Sequence, residues 1–71
     1  MSIEAYRGFI AEGLASPDGQ GGFQAHGLVR RSTLILLESD ALCNCASSET
    51  AQYRGLLWAR NVIEAIGTSF D

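Results

Sequence analysis

Leu28-Val29-Arg30-Arg31-Ser32-Thr33-Leu34-Ile35-Leu36-Leu37-Glu38-Ser39-Asp40-Ala41-Leu42 is the stretch on which the fold turns, because its apolar residues admit two readings. Counted in sevens, Leu28, Ile35 and Leu42 recur, each followed by a second apolar residue, while Ser32 and Ser39 occupy small inner positions. That spacing predicts a helix over about residues 28–44. A second stripe, Leu34, Leu37, Ala41 and Cys45, falls on its opposite side, so the helix needs covering twice. The alternative is a strand at Ser32 to Leu37, which the uninterrupted apolar run permits.

Downstream, Ser47 or Ser48 offers an N-cap and Glu49 an acid for the first turn, which predicts a helix over about 48–66 ended by Gly67. Ala51, Gly55, Ala59, Val62 and Ile66 share one side of it, a low ridge that the preceding helix could approach closely. A connection of about Cys45 to Ser48 joins the two as an antiparallel helical hairpin. Upstream, Ser2 and Glu4 start a helix of about residues 3–15, with Ile3, Tyr6, Ile10 and Leu14 at helical spacing, stopping at Ser16-Pro17. Residues 16–27 then read as a Gly-rich loop. The predicted architecture is one small all-α domain spanning residues 1–71: a short N-terminal helix, a Gly-rich loop, then the hairpin.

At 71 residues the chain buries only a small core, and its stability is marginal without a disulfide, a metal or a partner. Its composition, 46% apolar and 18% charged with a net charge of −3, excludes a disordered chain and a polycation. The expected partner is protein rather than nucleic acid. All five basic residues are arginines, the cation suited to bidentate and partly desolvated contacts. Met1-Ser2-Ile3-Glu4 lacks the basic region of a signal peptide, and Leu34–Leu37 is far shorter than the roughly 20 residues that span a bilayer. No membrane association is expected, and a cytoplasmic origin is.

Few residues carry recognisable chemistry. The Gly-rich segment has neither GxxxxGK[ST] nor GxGxxG spacing, so it reads as a linker. Cys43-Asn44-Cys45 with His26 falls short of the four ligands zinc wants, and on a helix the two thiols point apart. Two small buried side chains are the favoured reading over metal or redox chemistry. Arg30-Arg31 is the only basic pair, and acids follow it closely, so a salt-bridged surface outweighs a phosphate contact. No catalytic residue, metal or cofactor is assigned. The tripeptide Tyr-Arg-Gly occurs twice, at Tyr6-Arg7-Gly8 and Tyr53-Arg54-Gly55, each followed by two apolar residues; the expectation is a glycine that lets a helix pack closely in both copies.

Aromatic residues and arginine are the side chains enriched where proteins meet. Tyr6, Phe9, Phe23, Leu34, Leu37, Tyr53, Arg54, Leu57 and Trp58 are the candidate interface residues, with Trp58 serving either as core or as contact. Leu34, Leu36, Leu37 and Leu42, followed by Ala51, Tyr53, Arg54, Gly55, Leu56 and Leu57, resemble the helical hairpins of small accessory proteins of tailed bacteriophages, in which a leucine-rich helix precedes an A-x-Y-R-G helix. The resemblance implies a virion or assembly component with no active site. Sequence alone therefore predicts a non-enzymatic structural or interaction protein, docking in multiple copies onto a larger assembly, in a virion or a bacterial cytoplasm. A small inhibitor of one host protein is the alternative, and a thiol or metal protein using Cys43, Cys45 and His26 a third reading.

Overall fold

The computed structural model describes residues 1–70, with side chains up to Gly67. Five strands precede one helix: β1 Ser2–Tyr6, β2 Phe9–Pro17, β3 Phe23–Arg31, β4 Leu34–Glu38, β5 Asn44–Cys45 and α1 Ser48–Phe70. The strands form one antiparallel sheet in the order β1-β2-β3-β4, with β5 also paired to β3. The all-α prediction is therefore wrong. The segment read as a helix over 3–15 is a hairpin, the loop over 16–27 contains half of β3, and the helix over 28–44 is the β3–β4 hairpin and the edge beyond it. The alternative of a strand at Ser32 to Leu37 lies close to β4. With one helix among the described residues there is no helical hairpin.

The turns explain the chain reversals. Arg7 and Gly8, at φ 52° and 83°, connect Tyr6 to Phe9 as a two-residue turn with positive φ at both centres, whose twist suits a hairpin. Ser32, at φ 56°, opens a second two-residue turn between Arg31 and Leu34, in which only the first centre has a positive φ. Between β2 and β3 the Asp18 carboxylate accepts from the backbone N–H of Gln20 at 2.7 Å and of Gly22 at 3.0 Å, folding the Gly-rich segment on itself.

The helix covers one face of the sheet and sets the side-chain sizes beneath it. Gly13 and Gly27 face each other across β2 and β3, and Gly55 of α1 lies directly over them. A Cβ on any of the three would collide with backbone or with Trp58, so only glycine permits the approach. Around this contact Ala11, Ala25, Ala51 and Ala59 are fully buried, with Val29 and Ile63 as the large side chains of the core. Tyr6, Phe9, Leu56, Trp58 and Val62 pack against its border.

α1 starts as the sequence chemistry dictates, with the Ser47 hydroxyl accepting the N–H of Thr50 at 3.1 Å. Gly67 does not end it: the helix runs through that position to Phe70. On the opposite sheet face, Glu12 of β2 is only 5% exposed and its carboxylate pairs with the Nε of Arg30 on β3. Ile3 stands opposite Glu12 on β1 and Leu28 opposite it on β3, so apolar side chains flank a charge pair taken largely out of water.

Candidate functional site: an unguarded strand edge

β1 forms one margin of the sheet, β4 with the two-residue β5 the other, and the surroundings of β1 and β4 differ. Along β1, Glu4 pairs with Arg60 at 3.4 Å and Arg7 with Glu64 at 3.5 Å. Ser2 Oγ donates to Gln52 Oε1 at 3.1 Å, and the Tyr6 hydroxyl donates to the Glu64 carboxylate. That bond to a carboxylate pushes the Tyr6 phenol above its ordinary range, with burial adding to it. These ion pairs are half-exposed and add little stability, but charged groups along a strand discourage another strand from joining it.

β4 has no such protection. The helix packs over β2 and β3 and reaches β1 and β5, but among the described residues it does not reach β4. Leu34, Ile35, Leu36 and Leu37 are 63, 52, 40 and 45% exposed, and Glu38 is the one charged residue of the strand. An irregularity between Val29 and Arg30 shifts the β3–β4 register, so Ile35 stands opposite Arg30, Leu37 opposite Val29, and Leu36 has no partner of its own. Beyond Glu38 the chain stays on β3, with Ser39 N–H donating to the Gly27 carbonyl at 2.9 Å and Gly27 N–H to the Ser39 hydroxyl at 2.7 Å. The outer side of β4 is thus an apolar edge, interrupted by one irregularity and held against the central strand β3.

The candidate interface residues are scattered by this fold. Leu34 and Leu37 lie on the open edge. Tyr6 and Phe9 turn inward, under Arg60 at 5.2 Å and Arg31 at 5.3 Å from their ring centroids. Phe23 is half-buried opposite Cys45, and Trp58, half-buried, packs over Gly27 against the core. Tyr53 and Arg54 are exposed on α1, with Leu57 half-buried nearby. Ile35 and Leu36 were missed because a helical period turns them towards a seam. An unbroken apolar run between a Ser-Thr pair and a glutamate was the available signal.

His26 and the cysteines are not brought together. Cys45 stands opposite Phe23, in phase with the buried Ala25 on the helix side, whereas His26 is one residue out of phase and points to the other face. Cys43 and Cys45 do lie side by side, with their sulfurs 3.6 Å apart. They do not point apart as a helix would require. Burial and the neighbouring thiol raise the Cys45 pKa, while Arg54 pulls it the other way. Among the described residues no group of three or more His, Cys, Asp or Glu side chains gathers to hold a metal, and no helix is long and apolar enough to cross a membrane.

The class is α+β: an antiparallel β meander with a single helix laid across one face. Compared with known proteins, the chain matches no family model, no curated protein and no solved structure. The phage and virion reading rested on two successive helices, and nothing supports it once the leucine-rich segment is a strand.

Proposed function

We propose that this chain is a non-enzymatic interaction subunit that assembles through the outer edge of β4, pairing antiparallel with β4 of a second copy. The observation that supports it is the contrast between the two edges, one lined with ion pairs and one presenting four exposed apolar side chains. A two-fold contact uses the same patch twice, and β4 suits that use. Its first residue, Leu34, stands opposite Arg31, and its last is Glu38. Antiparallel pairing places the two Glu38 carboxylates at opposite ends of the contact, whereas parallel pairing sets them together.

Burying the exposed half of each of four aliphatic side chains contributes about 1 kcal/mol apiece, or about 8 kcal/mol for both copies. Association costs about 4–15 kcal/mol, and strand hydrogen bonds return part of it. The balance is a dimer in the micromolar range or weaker, dissociating on dilution. Sedimentation equilibrium over a concentration series tests this. Ile35→Lys and Leu36→Lys abolish the association, while Ile3→Lys on the guarded edge leaves it in place. A monomer at every concentration, or equal loss with Ile3→Lys, refutes the reading.

A further inference from the structure

Cys43, just before β5, and Cys45, which ends it, acquire a meaning in this extended segment that they lack in a helix. Residues two apart on an extended chain share a face, and here both thiols are half-buried on the helix side with their sulfurs 3.6 Å apart. We propose that Cys43 and Cys45 form a two-thiolate site for a soft monovalent cation of the copper(I) class.

Three features select this ligand. Thiolates prefer soft metals, and a d10 monovalent cation is satisfied by two sulfurs, whereas zinc takes four ligands. His26 lies on the other face, and no third ligand group is gathered beside the pair among the described residues. Metal–sulfur bonds of about 2.3 Å place collinear sulfurs about 4.6 Å apart, so each sulfur moves outward by about half an ångström from where it stands.

A disulfide asks more of the backbone. At about 3.3 Å per residue the two Cα atoms of an extended i, i+2 pair sit near 6.6 Å, close to the upper limit for that bond. Charge also fits the cation. Binding converts two thiols and one monovalent cation into an anionic bis-thiolate complex and releases two protons, with no change of oxidation state. Burial and the neighbouring Cys43 thiol oppose ionisation of Cys45, so the cation must displace its proton; the smaller pull of Arg54 and the positive dipole end of α1, which begins at Ser48, offset part of the resulting negative charge.

The test titrates the reduced full chain anaerobically with copper(I), supplied as its acetonitrile complex, against a chromophoric copper(I) chelator. One copper per chain is expected. Cys43→Ser and Cys45→Ser each weaken binding by about 10²–10⁴-fold, the advantage of two linked ligands over one, with the far-ultraviolet circular dichroism of the apo chain unchanged. Single variants that keep the affinity within about threefold overturn the proposal. So does one copper bridging two chains, or ready closure of the pair to a disulfide in a glutathione redox buffer.

Discussion

Replacing Gly55 by alanine reverses the ordinary sign of that substitution. At an exposed helix interior, Gly→Ala stabilises by about 1 kcal/mol. At Gly55 the new Cβ would stand 2.8 Å from the carbonyl carbon of His26 and 3.0 Å from the Cα of Gly13, and closer still to the His26 oxygen. Those are backbone atoms of the two central strands and have no rotamer to move. Restoring ordinary carbon–carbon separations of about 3.5 Å or more lifts the helix by about 1 Å, and a gap of that size forfeits about a quarter to a half of each dispersion contact beneath it. Ala51, Ala59 and Ile63, all fully buried, lose contact together. The net loss is at least about 3 kcal/mol after the propensity gain, out of roughly 4–10 kcal/mol for a chain of 71 residues. Urea unfolding followed by tryptophan fluorescence measures it, with Gly67→Ala as the control. There the Cβ meets only the mobile end of Arg7 at 3.3 Å, and a gain of up to about 1 kcal/mol is expected. A Gly55→Ala protein as stable as the parent would refute the close helix–sheet contact.

Two further outcomes follow from the polar groups. Arg30→Met strands the Glu12 carboxylate in its apolar surroundings and costs about 3–5 kcal/mol by urea unfolding, whereas Glu12→Gln combined with Arg30→Met recovers much of that loss. Recovery of nothing in the double variant would show that the two side chains act separately. The raised Tyr6 pKa means that its bond to Glu64 contributes fully below the unfolded value of 10.0 and is lost as pH rises through the higher folded value. In a Tyr53→Phe background, phenolate absorbance should therefore titrate above pH 10.0 and move down with Glu64→Gln; an unmoved midpoint contradicts the bond.

Much of the fold was hidden from the sequence for one physical reason. Strands declare themselves by alternating large apolar residues, but the helix lies so close to β2 and β3 that the covered positions are Ala11, Gly13, Ala25 and Gly27. Small residues carry almost no hydrophobic signal, so the first half of β3 read as a Gly-rich loop and its second half as the start of a helix. The helical spacing of Ile3, Tyr6, Ile10 and Leu14 arose across a reversal of chain direction, and the heptad of Leu28, Ile35 and Leu42 joins positions on β3, on β4 and on the edge beyond. Tyr-Arg-Gly makes the point most directly. At Tyr6-Arg7-Gly8 it forms a turn with positive φ, and at Tyr53-Arg54-Gly55 it is helical. The same three residues adopt whichever conformation their flanks and tertiary contacts favour. α1 was more legible, because Ser47 and Glu49 carry start signals of their own and its residues are read along one uninterrupted element. Of the candidate site, Leu34 and Leu37 were visible as apolar residues in excess of what a small core absorbs, but the edge that joins them to Ile35 and Leu36 exists only once the sheet is formed.

The difference between the two sheet edges bears on growth as well as on recognition. A sheet with two receptive margins can add copies without limit, the geometry of a fibril. When β4 joins β4 of a second copy, the far margins are two copies of β1, each lined by Glu4, Arg60, Arg7 and Glu64, and beside β4 only the two-residue β5 is left unpaired. On the proposed pairing the first addition would therefore terminate the series: the apolar run would be consumed in a closed pair, and the long strand facing solvent would be the one that discourages another.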